Sequence, residues 1–413
     1  MVKVKPFCAL RPNASIASKV AALPYDVMSS DEAREMVKDN PFSFLHIDKA
    51  EIDLDKSIDL YDDKVYAKAK ENLDRFENEG IYENDNVKRY YFYRQIMGDH
   101  AQTGIVGCAS IDDYLENRIK KHEFTRADKE IDRIKHVSAC SAQTGPIFLA
   151  FKNNLVLEDI IKKETSKEPI YDFTSEDNIR HTVWATDEEL TCEIIEKAFL
   201  NTESLYIADG HHRAASAVKV GIKKREENPN YNGTEEFNYF LSVIFPAQTL
   251  KILDYNRLLK DLNGYTSEEF LNILNDRIGK VEFIENGPYH PEKLHTFGLY
   301  IDNKWYKVTM YEAITKGSNA VENLDCSILQ KYLLSNILGI EDPRSDKRID
   351  FSGGIRGLKY LEERCSQDMK MAISMYPTSL NELMAVADSG QVMPPKSTWF
   401  EPKLRSGLLI HKI

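Results

Sequence analysis

YIADGHHRAASAV, residues 206–218, reads as the end of a strand, a sharp turn and the start of a helix. Tyr206, Ile207 and Ala208 are the apolar end of the strand, and Asp209-Gly210 makes the turn. Ala214, Ala215 and Ala217 favour a helix and allow close packing. A helix start presents backbone N–H groups without intrahelical partners at the positive end of the helix dipole, which makes an anion site. Gly210 lets the chain bend and lets an oxyanion approach the backbone. Arg213 can grip a phosphate with two hydrogen bonds. Asp209 would repel a bare phosphate, so its expected role is to hold Mg²⁺ or a substrate hydroxyl. His211 and His212 are adjacent, about 100° apart on a helix, and are not expected to chelate one metal together. The bland alternative is a helix cap flanked by exposed histidines.

Working outward, strands and helices alternate on either side of this turn. Strands are expected at 146–151, 181–185, 204–208 and 239–245. Helices are expected at 127–142, 156–166, 187–200 (capped by Thr186) and 211–224. That alternation argues a mixed α/β, or α+β, fold. Upstream, Ser30 is expected to cap a helix at 31–38, and Phe42–Ile47 reads as extended. Residues 59–79 read as a long exposed helix, and 87–97 with 102–111 as a β-hairpin around Gly98-Asp99-His100. Further elements are expected at 268–276, 281–285, 296–300, 306–310, 324–338, 369–375 and 380–388.

With 413 residues, 42% hydrophobic and 29% charged, the chain can bury a large core. The net charge of -12 argues against nucleic acid or an anionic membrane as partner. No apolar run approaches the ~20 residues that span a bilayer. The six cysteines are scattered without a CxxC pair, and no export signal is visible, so a cytoplasmic location is expected.

Other candidate residues lie far from the turn in sequence. Glu123 and Arg126 precede the 127–142 helix, whose own alternating charges read as solvated salt bridges. Gln143-Thr144-Gly145 is a polar turn suited to ligand contacts. Asp26, within LPYDV (23–27), is a single carboxylate among apolar anchors. Asn256 and Arg257 follow a strand, and Lys396-Ser397-Thr398 sits in a rigid proline-rich loop.

LPYDV (23–27), NPFSFLHID (40–48), EFTRADKEIDR (123–133), AQTGPIF (142–148), YIADGHHR (206–213), LDYNR (253–257) and PPKSTWFEPKLRSG (394–407) occur in one order along nearly the whole chain. In that respect the sequence resembles a family long catalogued only as a domain of unknown function. DGHHR is also similar to the phosphate-binding turn of the ParB/sulfiredoxin-like fold, and within it to the free serine kinases. That resemblance implies a ParB-like nucleotide-binding core over 1–260, with a helix and hairpin inserted at about 50–115, and a C-terminal α/β lobe over 261–413. It implies transfer of a phosphoryl group to the hydroxyl of free L-serine, in amino-acid metabolism. ATP with Mg²⁺ is the expected donor, ADP and pyrophosphate staying open. Gly210, His211, His212, Arg213 and Thr144 would bind the nucleotide, and Asp209 the metal. Asp209, Glu123 and Asp26 are the candidate catalytic carboxylates. Arg126, Gln143, Asn256, Arg257, Lys396, Ser397 and Thr398 would contact substrate. A hydrolase with water as nucleophile needs the same neighbours, and a ParB-like DNA-binding or regulatory module is the other alternative. A homodimer is allowed but not required.

Overall fold

The computed structural model describes residues 1–186 and 188–413. The chain forms two compact units, Met1–Leu250 with Pro402–Ile413, and Lys251–Glu401. Relative to the division expected at 260, the second unit begins earlier and the last twelve residues rejoin the first. No helix among the described residues is long and apolar enough to cross a membrane.

The first unit is built on a mixed sheet. Its strands lie in the order Ile119–Lys120, Leu205–Asp209, Ile147–Phe151, Tyr239–Pro246, His100–Ser110, Tyr91–Met97, Ile179–Ala185 and Tyr171–Thr174, and Val4–Lys5 also pairs with His100–Ser110. Ile147–Phe151 runs parallel to Tyr239–Pro246, which requires a crossover between them. The crossover carries the helices Leu155–Glu164, Glu189–Leu200 and His211–Glu227. The hairpin expected as an insertion is a central part of this sheet, because His100–Ser110 pairs along six residues with Tyr239–Pro246. The core gathers Leu149, Phe151, Ile207 and Ile244 from the strands, with Ala214, Ala217 and Val218 from the helix after the turn.

That helix sits close to its neighbours through a glycine. A Cβ on Gly221 would lie 2.5 Å from the Phe237 carbonyl oxygen and 2.8 Å from Ile111. Helix propensity alone would make Gly221→Ala stabilising by about 1 kcal/mol. The fixed backbone oxygen reverses the sign, and a net loss of about 1–3 kcal/mol is expected in urea denaturation.

A second core of the same unit holds Leu10, Phe44, Leu73, Phe76, Tyr82 and Ile410. Phe42–Ile47, expected to be extended, instead leads into the short helix Leu45–Asp48. The cap expected at Ser30 is Ser29, which forms a reciprocal capping box with Glu32. Thr186 does not cap a helix. Its hydroxyl bonds to the backbone of Tyr90, the next helix runs Glu189–Leu200, and Asp187, its expected first residue, lies outside the described residues. The long helix is Asp63–Asn78. The C-terminal segment returns to this unit by pairing Ala22 with Ser406, Leu10 with Ile410 and Gln143 with His411.

The second unit is an antiparallel sheet in the order Gly279–Ile284, Lys304–Met310, Thr296–Ile301, Met371–Ser374, Tyr255–Leu259 and Ile349–Gly353. One face carries a core around Leu259, Phe297, Leu333 and Ile373. The other packs Leu258, Trp305 and Ala372 against Leu361 of the helix Gly357–Gln367.

Candidate functional site

The turn of DGHHR is set by a bulge followed by a glycine. Ile207 pairs with Leu149, but Asp209 pairs with Phe148, so the strand register slips just before the turn and re-aims Asp209. Gly210 then takes φ +91°, and a Cβ there would lie 3.0 Å from Nε of Arg213. Both the backbone angle and the arginine demand glycine. Gly210 is the N-cap of the 17-residue helix His211–Glu227, and no side chain caps it. The first-turn N–H groups therefore remain available to an acceptor.

Asp209 ends up between two cations. Its Oδ2 accepts from Arg213 Nη2 at 2.8 Å and its Oδ1 from Lys403 Nζ at 3.0 Å. Burial works against its charge, but Lys403 and Arg213 hold the carboxyl well below the usual range. Arg213 spends its other arm on the Pro146 carbonyl oxygen, 2.6 Å away. The fork expected to grip a phosphate is thus committed to the fold, and Asp209, expected to carry a metal, is an anchor for two cations. Lys403, on the C-terminal return, is a site residue that the sequence reading passed over in favour of Lys396.

The two histidines hold a distant segment in place. His212 Nε2 accepts from the backbone N–H of Arg126 at 3.0 Å, and His211 Nε2 lies 3.4 Å from that of His122. This draws residues 122–126 against the turn and places Glu123 Oε2 3.9 Å from His211 Nδ1. Burial pushes the His122 imidazole down to about 4, and burial together with His122 holds His211 well below its usual value. His212 is also lowered by burial, against the charges of Asp26 and Glu130. Asp26 itself is exposed in the short 3-10 turn Tyr25–Val27.

Beneath the helix lies a cavity lined by Tyr25, Asp48, Arg133, His136, Thr144 and Arg213, among others. The Arg133 guanidinium stacks 4.0 Å from the Tyr25 ring centre, and the Thr144 hydroxyl donates to Asp48 at 2.8 Å. Gln143 is a brace between strands. It donates to the Tyr239 carbonyl oxygen at 3.0 Å, accepts from the Leu241 N–H at 2.5 Å and meets His411 at 3.2 Å. Its oxygen is taken up by these contacts, and one N–H of its amide is left for the substrate contact expected of it. The Arg126 guanidinium is paired with Asp128 at 2.8 Å on the surface. The structure therefore brings Asp209–Arg213, Glu123, Arg126 and Thr144 into one region of the first unit.

Asn256, Arg257, Lys396, Ser397 and Thr398 belong to the second unit. Asn256 is buried, donating to Asp254 and accepting from the Met375 N–H at 2.9 Å. Arg257 is buried and donates to the Tyr255 carbonyl oxygen. The Ser397 hydroxyl donates to the Pro394 carbonyl oxygen at 2.6 Å and lies 3.1 Å from the Cys326 sulfur. These are internal contacts of that unit. Lys396 is exposed, its Nζ 5.5 Å from the Tyr255 ring centre, and Thr398 is half-buried.

Residues 4–327 match the family model described as protein of unknown function (DUF1015). The chain belongs to the DUF1015 family. Comparison with curated proteins gives no match. Among solved structures, this DUF1015 protein is similar to a free serine kinase in complex with AMP, at 18% identity and a TM-score of 0.35, over 70% of this chain and 85% of that one. It is similar to SbnI with a C-terminal truncation from Staphylococcus aureus, at 10% identity and a TM-score of 0.38, over 72% and 82%. It is also similar to a conserved hypothetical protein from Pyrococcus furiosus, at 17% identity and a TM-score of 0.34, over 72% and 91%. Likenesses this distant leave the chemistry of the DUF1015 protein to be argued from its own residues.

Proposed function

We propose that this DUF1015 protein is a kinase for free L-serine, moving the γ-phosphoryl group of ATP to the serine hydroxyl on a ParB/sulfiredoxin-like core. The observation that carries the reading is the uncapped helix start at Gly210, with φ +91° and Arg213 and Lys403 fixed beside it by one carboxylate. First-turn N–H groups and Lys403 suit the terminal phosphates of a nucleotide. Mg²⁺ would supply further charge neutralisation at those phosphates, and Asp209, the carboxylate nearest them, would hold it only by giving up Arg213 or Lys403.

The chemistry asks mainly for alignment and charge neutralisation. The serine oxygen bonds to the γ-phosphorus, the bond from that phosphorus to the β,γ-bridging oxygen breaks, and the hydroxyl proton goes to a carboxylate. Glu123 is assigned that role because it is partly exposed and held beside His211 by the histidine latch. Asp26 is the second carboxylate of the region. The cavity at Arg133, Asp48 and Thr144 is assigned to the amino-acid acceptor or the nucleoside. Of the five candidates in the second unit (Asn256, Arg257, Lys396, Ser397 and Thr398), Lys396 and Thr398 retain exposure suited to a ligand.

Phosphorus NMR of the full chain with ATP, Mg²⁺ and free amino acids tests this directly. An O-phosphoserine signal that depends on serine is expected. Free phosphate alone would make the protein a hydrolase, and an unchanged spectrum would leave only a binding module. Glu123→Gln is expected to lower kcat by about 10²–10⁴-fold with little change in the KM for ATP. Steady-state kinetics showing near-normal turnover would remove Glu123 from the mechanism.

A further inference from the structure

We infer that His122, Glu123 and His211 form a binding site for a divalent transition-metal ion. One ring nitrogen from each histidine and one oxygen of Glu123 lie within 4.8 Å of one another. The two imidazoles pack edge to face with centroids 4.4 Å apart. His122 is 2% exposed, and among the described residues neither ring nitrogen makes a well-formed hydrogen bond, the Ile207 backbone being the polar group within reach. A buried polar atom left unpaired costs about 1–3 kcal/mol. With the Ile207 backbone able to meet only one nitrogen, the other, facing a second imidazole and a carboxylate, points to a missing ligand.

The donor set selects the class of ion. Two imidazoles and one carboxylate suit zinc, manganese, iron, cobalt or nickel, whereas magnesium and calcium take oxygen ligands. Metal–ligand bonds of about 2.0–2.2 Å put neighbouring donors roughly 3–3.5 Å apart, so the cluster must close by about an ångström on binding. Glu123, partly exposed on the 122–126 segment, is the group placed to move. Three protein ligands leave at least one position open to water or a substrate oxygen. His212 is outside the cluster, turned toward the Arg126 N–H.

The site does not depend on the phosphoryl-transfer reading. Were both to hold, an acceptor hydroxyl in the open position would lose its proton more readily, as metal-bound water does.

The test is titration of chelator-treated full-length protein with Co²⁺, followed by visible absorption, and with Zn²⁺, followed by calorimetry. One equivalent per chain is expected, with Co²⁺ bands of the intensity of four- or five-coordinate sites, undisturbed by excess Mg²⁺. Glu123→Gln is expected to weaken binding about 10–100-fold without changing the melting temperature of the metal-free protein. His122→Phe, which fills the buried volume without a ligand atom, is expected to abolish the bands. If His122→Phe fails to fold, Glu123→Gln still decides. No saturable binding, or equal binding in wild type and Glu123→Gln, overturns the site. Because no nucleotide is present, that result would leave the kinase reading standing.

Discussion

Asp209→Asn is expected to destabilise the first unit by about 3–5 kcal/mol as well as to abolish phosphoryl transfer. The carboxylate is the shared acceptor of Arg213 and Lys403, whose side chains are only 10% and 12% exposed. An amide presents one neutral acceptor to two buried cations, so the variant leaves positive charge uncompensated rather than merely losing a contact. That loss is a large part of the ~5–15 kcal/mol by which a typical domain is stable. Urea denaturation measures it. A change below about 1 kcal/mol would show that solvent, not Asp209, neutralises these cations. The double variant Asp209→Asn with Lys403→Met should recover part of the stability, because one of the two buried positive charges has been removed, while activity stays absent. For the same reason an inactive Arg213→Ala protein is uninformative until its stability is known, since that arginine also ties Pro146 to the turn.

The parts of this molecule written in neighbouring residues were legible in its sequence. The strand ending at Asp209, the glycine turn, the helix after it and the hairpin around Gly98 all have local causes, and the alternation between 146 and 246 follows from them. Short elements escaped. Leu45–Asp48 is too brief to show a helical period, and the edge strand Tyr171–Thr174 has only one buried residue. Thr186 has the chemistry of a cap but is spent on the backbone of Tyr90, a contact across 96 residues.

The site divides the same way. Candidate status for Gly210 and Glu123 came from residue type and position. Partners did not, because they are set by topology: His212 meets Arg126 across 86 residues, and Asp209 meets Lys403 across 194. Gln143 shows the converse. A polar residue in a glycine-containing turn looks available for ligand until the strands it braces are known.

Mild acid is expected to destabilise the first unit well before its carboxylates protonate, through His181. This side chain is fully buried, with Tyr93 Oη 2.7 Å from Nδ1, and with Arg405 Nε at 3.3 Å and Ser175 Oγ at 3.0 Å from Nε2. Arg405 can only donate, so Nε2 must accept and the single proton sits on Nδ1, toward Tyr93. A second proton would face the guanidinium. Burial first, and then Arg405, push His181 down to about 3, with the nearby Asp177 carboxylate opposing them. The folded value lies below the unfolded ~6.5, so the unfolded chain binds the extra proton first. The stabilisation is complete above about pH 6.5 and is lost progressively as pH falls from there toward about 3. Each pH unit costs up to about 1.4 kcal/mol for one such group, several kcal/mol over the window. His181→Gln keeps an acceptor for Arg405 and a donor for Tyr93 but cannot take up a proton. Urea midpoints between pH 7 and 4.5 should therefore fall less steeply in His181→Gln, by close to one proton's worth of slope. His122, His136, His211 and His212, all lowered first by burial, leave a residual dependence in both proteins. Parallel curves for wild type and His181→Gln would mean that the cluster at Arg405 reorganises to admit the proton, and the acid sensitivity would have to come from elsewhere.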